Sequence, residues 1–179
     1  MQKFLLATLL ALAASAQVSK VEIVKPTTPH DDSKPNSAAV PEAIAIDGKI
    51  ERVVVIRLKF NADLLAGIES TIKQHKIKNA VVLNGIGSVR NYHIHSVSNR
   101  TFPSKNIFIK DPSAPADIIS INGFVIDGRL HAHMTLTTGE HAFGGHIEPG
   151  TNVFTFAILT LGILPDSMDI SRVDDKTYR

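Results

Sequence analysis

The stretch from Gly128 to Gly150, GRLHAHMTLTTGEHAFGGHIEPG, constrains the fold of this chain more than any other. Within it Leu130, Ala132, Met134 and Leu136 alternate strictly with His131, His133, Thr135 and Thr137. Alternation of this kind marks a half-buried β-strand, because successive side chains point to opposite faces. The apolar set faces a core. His131 and His133 stand side by side on the other face, about 6–7 Å apart at Cα. A turn at Thr138, Gly139 and Glu140 follows, and then Gly144-Gly145-His146. A strand that returns through a short turn runs antiparallel to its predecessor, so His146 can face the pair across the ladder. His141 would project oppositely to His146, so only one of the two can do so.

Three neutral imidazoles on a rigid sheet suit zinc, which binds them tetrahedrally at about 2.0–2.1 Å and leaves a fourth position open. The plainer alternative is the polar face of an exposed strand. It accounts well for a single histidine or an adjacent pair, and less well for a third after a Gly-Gly turn. The chain has no cysteine, so any metal must be held by histidine and carboxylate. A net charge of +2 demands no polyanionic partner. Eight Phe, two Tyr and no Trp are a thin supply for a base-stacking platform.

Residues 1–16 read as a secretory leader. Lys3 supplies the positive start, Phe4 to Ala13 the apolar region, and Ala14-Ser15-Ala16 an A-x-A-like cleavage site. The apolar run is short for a membrane span, so the mature chain is expected to start at Gln17 and to work outside the cytoplasm, secreted or periplasmic. Residues 17–43 carry Pro26, Pro29, Pro35 and Pro41 among Lys, Ser, Thr and Asp, and read as a flexible linker. His30, Asp31 and Asp32 there read as part of a solvated tail. Residues 44–175 form the folded domain, large enough to bury a real core.

Ile50–Phe60 reads as a strand. Asn61 is a candidate N-cap for a helix in which Leu64, Leu65, Ile68 and Ile72 recur at helical spacing as far as about His75. Ala80–Leu83 reads as a short strand, with a bend or bulge at Asn84-Gly85-Ile86-Gly87-Ser88 before a second strand, Val89–Val97. That second strand carries another co-facial pair, His93 and His95, which can extend the site or line its mouth. Asn99-Arg100-Thr101 is a glycosylation sequon, usable in a eukaryote. Asn106–Ile109 reads as a short edge strand, and Asp117–Ile126 as a strand with a bulge at Gly123. Asp127-Gly128 is a hairpin turn signal. Thr151–Leu161, apolar on both faces, belongs at the centre of a sheet or in a subunit interface. Met168–Val173 is a candidate last strand. Short strands, hairpin-length turns and one clear helix define an α+β fold on a mainly antiparallel sheet.

The ordered set VVLNGIGSV, INGFVIDGRLHAHMTL and GGHIEPGT, followed by an apolar strand, resembles the PPC domain (plant and prokaryote conserved) over about Ile50 to Ile170. This domain stands beside AT-hook motifs in plant nuclear proteins and alone in many prokaryotes. The resemblance implies a compact α+β domain with an antiparallel sheet, and a homotrimer with sites near the subunit boundaries. Prokaryotic members look like histidine-metal proteins, and on that basis His131, His133 and His146 carry over as zinc ligands. His93 and His95 lie outside the family pattern. The chain has no RGRP-like AT-hook, and with its leader this argues against DNA binding, as do its scattered basic residues.

Two functions compete beside DNA binding. One is a metal-binding protein with hydrolase or lyase chemistry on a small-molecule ligand, since three histidines and an open fourth position lower the pKa of zinc-bound water toward about 7. Glu148, Glu140 and His95 are then the candidate proton carriers, although no residue is assigned as catalytic. The other is a non-catalytic module in which the site is structural or binds a small ligand, and the trimer presents a surface to a partner.

Overall fold

The computed structural model describes residues 19–27, 34–35 and 37–174. The expected leader and His30, Asp31 and Asp32 lie outside the described residues. The elements in order are β1 (Val21–Pro26), β2 (Arg52–Lys59), α1 (Leu64–Gln74), β3 (Ala80–Val97), β4 (Lys105–Asp111), β5 (Ala116–Ile126), β6 (Arg129–Thr137), β7 (Ala142–Ile147), β8 (Asn152–Ile163) and a 3-10 turn at Ser171–Asp174. Every strand pairing among them is antiparallel. The α+β expectation holds.

β3 is the spine. It pairs with β5 through Ala80–Val89 and with β4 through Tyr92–Val97. It also pairs with β8, and near its end with β7. β5 pairs β6 and β6 pairs β7, so β3, β5, β6 and β7 close on themselves. β2 extends the sheet beyond β8, and β1 extends it beyond β4.

The helix forms where an apolar stripe meets a good cap. Asp63 Oδ1 accepts the Ala66 N–H at 2.9 Å, and Leu64, Ile68 and Ile72 are at most 1% exposed. These three pack on the inner side of the sheet with Ile56 and Leu58 of β2, Met134 and Leu136 of β6, and Leu159 and Leu161 of β8. The cap is Asp63 rather than the expected Asn61. Asn61 instead takes a positive φ of 65°, which Asn tolerates better than most residues, and it turns the chain out of β2. The other carboxylate oxygen of Asp63, Oδ2, accepts the Gly150 N–H at 2.6 Å and so pins the loop after β7.

The β5–β6 hairpin is as expected. Asp127 and Gly128 take φ of 48° and 77°, the two positive values a type I′ turn requires, and Ile126 pairs with Arg129. β8 lies between β2 and β3, in keeping with its apolar faces. Among the described residues no helix is long and apolar enough to cross a membrane.

Several expectations are corrected. The two strands at Ala80–Leu83 and Val89–Val97 are one strand, β3, and the expected bend or bulge lies within it, as register shifts against β8 between Val82 and Asn84 and between Gly87 and Val89. The β5 irregularity falls between Ile118 and Ser120, while register runs evenly through Gly123. β4 is not an edge strand, because β1 covers it. β1 itself lies in the stretch read as a linker, with all six of its residues exposed. An edge strand of this kind is held by its backbone ladder and needs no apolar pattern. Met168–Val173 is not a strand, and its end lies in the 3-10 turn. The Asn99 amide holds the β3–β4 loop together, donating to Thr101 O and Pro103 O while its Oδ1 accepts the Lys105 N–H.

Candidate metal centre

Directly paired residues on neighbouring strands project to the same face. His133 pairs with His146 across β6 and β7, and His146 pairs with His95 across β7 and β3. The row continues to Asn122 of β5 on one side and to Phe108 of β4 on the other. Five strands thus place Asn122, His133, His146, His95 and Phe108 in one line on the outer face. His131 stands in the next row, opposite Phe124. The inward neighbours Ala132, Met134, Ile94 and Ile147 are buried to 2% exposure or less, so the core locks the orientation of the histidines.

β7 reaches this place because it is thin. A Cβ on Gly145 would meet His95 O at 2.4 Å, so only glycine lets β7 pass this close to β3. The next residue, His146, then arrives between His95 and His133.

His131, His133 and His146 offer ring nitrogens that all lie within 4.8 Å of one another. The ring centroids of His146 lie 5.0 Å from His131 and 5.2 Å from His133, and those of His131 and His133 are 5.7 Å apart. A tetrahedral zinc at about 2.0–2.1 Å from each nitrogen keeps its ligands roughly 3.3 Å apart, which small side-chain rotations would reach here. The donor set therefore fits a divalent ion of the zinc type.

The electrostatics agree. Burial, reinforced by the neighbouring imidazoles of His95, His131 and His133, pushes His146 down to about 4. Burial, with His131 and His95, also lowers His133. Both rings are held neutral near pH 7, the form whose lone pair binds metal. Folding stability follows. Between about pH 6.5 and 4 the unfolded chain takes up a proton at His146 that the folded chain refuses. The metal-free protein is expected to be fully stable above that window and to lose stability as pH falls through it. Thermal melting of metal-free protein at pH 7.5 and 5.0 measures this, and a His146→Gln variant should show a smaller difference between the two.

Two carboxylates orient the rings. The His131 Nδ1–H donates to Asp174 Oδ2 at 2.6 Å, which leaves Nε2 with its lone pair. The His95 Nδ1–H donates to Glu148 Oε1 at 2.5 Å. Glu148 thus reaches the site through His95, whose ring centroid lies 4.7 Å from that of His146. His93 is set apart, with its Nδ1 at 2.9 Å from Pro149 O. Glu140 and His141 are out on the turn, with side chains 86% and 80% exposed. The choice between His141 and His146 falls to His146. Asp174, Phe108 and Asn122 join the site without a signal in the sequence around them.

An outer-face cluster of three histidines that could hold a metal ion, on a closed antiparallel sheet with one inner helix, defines a small α+β domain. Residues 45–165 match the Plants and Prokaryotes Conserved (PCC) domain, and the chain belongs to that family. A plant- and prokaryote-conserved protein from Pyrococcus horikoshii is similar in structure, with 27% identity, a TM-score of 0.57, and coverage of 69% of this chain and 85% of that one. The metal-containing protein AF0104 from Archaeoglobus fulgidus shares the fold at 22% identity and a TM-score of 0.55, with coverage of 71% and 88%. A protein from Bacteroides thetaiotaomicron whose name proposes DNA binding shares it at 16% identity and 0.52, with coverage of 64% and 80%. No curated protein matches the chain.

Proposed function

We propose that this chain is an extracytoplasmic, trimeric metal-binding protein that holds a zinc-type divalent ion through His131, His133 and His146. The convergence of three ring nitrogens within 4.8 Å carries the reading. The lowered proton affinity of His133 and His146 supports it, as does the metal content of the A. fulgidus protein that shares the fold. Such an ion supplies Lewis acidity at an open position. The chain's own residues hold it, orient the rings through Asp174 and Glu148, and close one side with Phe108.

Self-association is supported by the outer face away from the histidines. Val53, Val55, Ile86 and Phe154 are 55%, 65%, 49% and 47% exposed, and apolar side chains of this kind on one sheet face suit a subunit interface. The leader-like residues 1–16 support export.

The test is metal content by mass spectrometry together with sedimentation analysis, on protein starting at Gln17. About one zinc per chain and a three-chain mass are expected. A metal-free protein after zinc loading, or a monomer, would remove the corresponding half of the proposal. Asp174→Asn is expected to weaken zinc binding about 10–100-fold, the usual effect of losing a carboxylate behind a metal-bound histidine. Competition with a chromophoric chelator reads it out.

A further inference from the structure

Beside the histidines lies a cleft of about 370 Å³, which the metal reading leaves without a use. Its floor is β5, where Gly123 sits between Asn122 and Phe124. Gly123 puts no side chain there, and a Cβ on it would meet His131 O of the β6 backbone at 2.1 Å. Phe124 and Ile126 of β5 and Val173 of the 3-10 turn supply its apolar lining. Phe124 and Val173 are 38% and 51% exposed, so their apolar surface is offered to the cleft rather than spent on the core. The polar lining is His131, His133, Asp174 and Asn122. Asn122 and His133 share one row, His131 stands in the next row opposite Phe124, and Ile126 lies one row beyond. The Asn122 amide donates to Ser120 Oγ and has a second N–H to give.

We propose that this cleft binds a small carboxylate with an aromatic or branched apolar body. The carboxylate lies at the histidine end and the body against Phe124, Ile126 and Val173. The proposal rests on the metal reading. Three neutral imidazoles add no charge to a divalent ion, and Asp174 is the single carboxylate of the lining, so the polar end stays positive and selects an anion. The apolar lining selects against a bare acid such as acetate. The volume lies at the small end of ligand pockets. Val173 and Asp174 fall beyond the family match, which stops at 165.

Isothermal titration of zinc-loaded full-length protein with benzoate, acetate and benzyl alcohol tests this, with zinc content measured on the same samples. Benzoate is expected to bind at least tenfold tighter than either of the others. Val173→Asp, at an exposed position, should keep its zinc and lose most of that preference. Zinc-free protein should bind benzoate at least tenfold more weakly. If zinc is bound but benzoate is no better than acetate, or is unaffected by Val173→Asp or by zinc removal, the cleft proposal fails and the metal reading stands. A chain that takes up no zinc overturns both.

Discussion

Gly123→Ala is expected to cost about 3 kcal/mol of stability. The added Cβ would stand 2.1 Å from His131 O and 2.7 Å from Ala132 Cα. Both atoms belong to the backbone of β6, so relief requires breaking the β5–β6 ladder at the residues that carry His131 and His133. The φ of 151° at this position adds strain for any L side chain. Gly139→Ala is the natural comparison, since a Cβ there meets nothing within 4 Å, and it should stay within about 1 kcal/mol of the parent. Urea denaturation of the two variants beside the parent decides the matter. Equal midpoints for Gly123→Ala and Gly139→Ala would mean that β5 and β6 are not in such close contact.

The second large effect is expected at His146. Its ring is the only one in contact with all of His95, His131 and His133 among the described residues. His146→Ala should lower zinc affinity by more than about 100-fold, beyond the range seen for residues that only orient a ligand. Stability without metal should change little, because the apolar residues on the inner face keep their contacts. His95→Ala is the informative partner: it removes the Glu148-linked ring and leaves the three converging nitrogens in place, so stoichiometric zinc should remain. If His146→Ala keeps the parent's affinity, or if His95→Ala loses the metal, the ligand set is wrong. Chelator competition on the two variants separates these cases.

Much of the site was legible because it is built on the simplest rule of chain geometry. A strand alternates faces, so His131 and His133 had to share one once Leu130, Ala132, Met134 and Leu136 were turned inward. Asp127-Gly128 announced the hairpin, and the Gly-Gly before His146 announced a close return. The same glycine rule misled at Gly123. A glycine inside a strand marks either a bulge or a close approach of another backbone, and the sequence carries no information on which. The pairing of Gly123 with Ala132 makes it the second.

What the sequence determined by itself is local: the period of each strand, the helix stripe, the turn chemistry and the absence of thiolate ligands. Those follow from side-chain direction and backbone freedom within a few residues. Tertiary structure alone decided that β7 inserts between β6 and β3, bringing His95 against His146 and Glu148 behind it. It alone placed Asp174 on His131, 43 residues away, and brought the N-terminal β1 onto the edge of β4. These are contacts between segments distant in the chain. They are selected by the shared burial of one core and by hydrogen bonding of otherwise open strand edges. Neither leaves a pattern in the short stretch of sequence that supplies the contact.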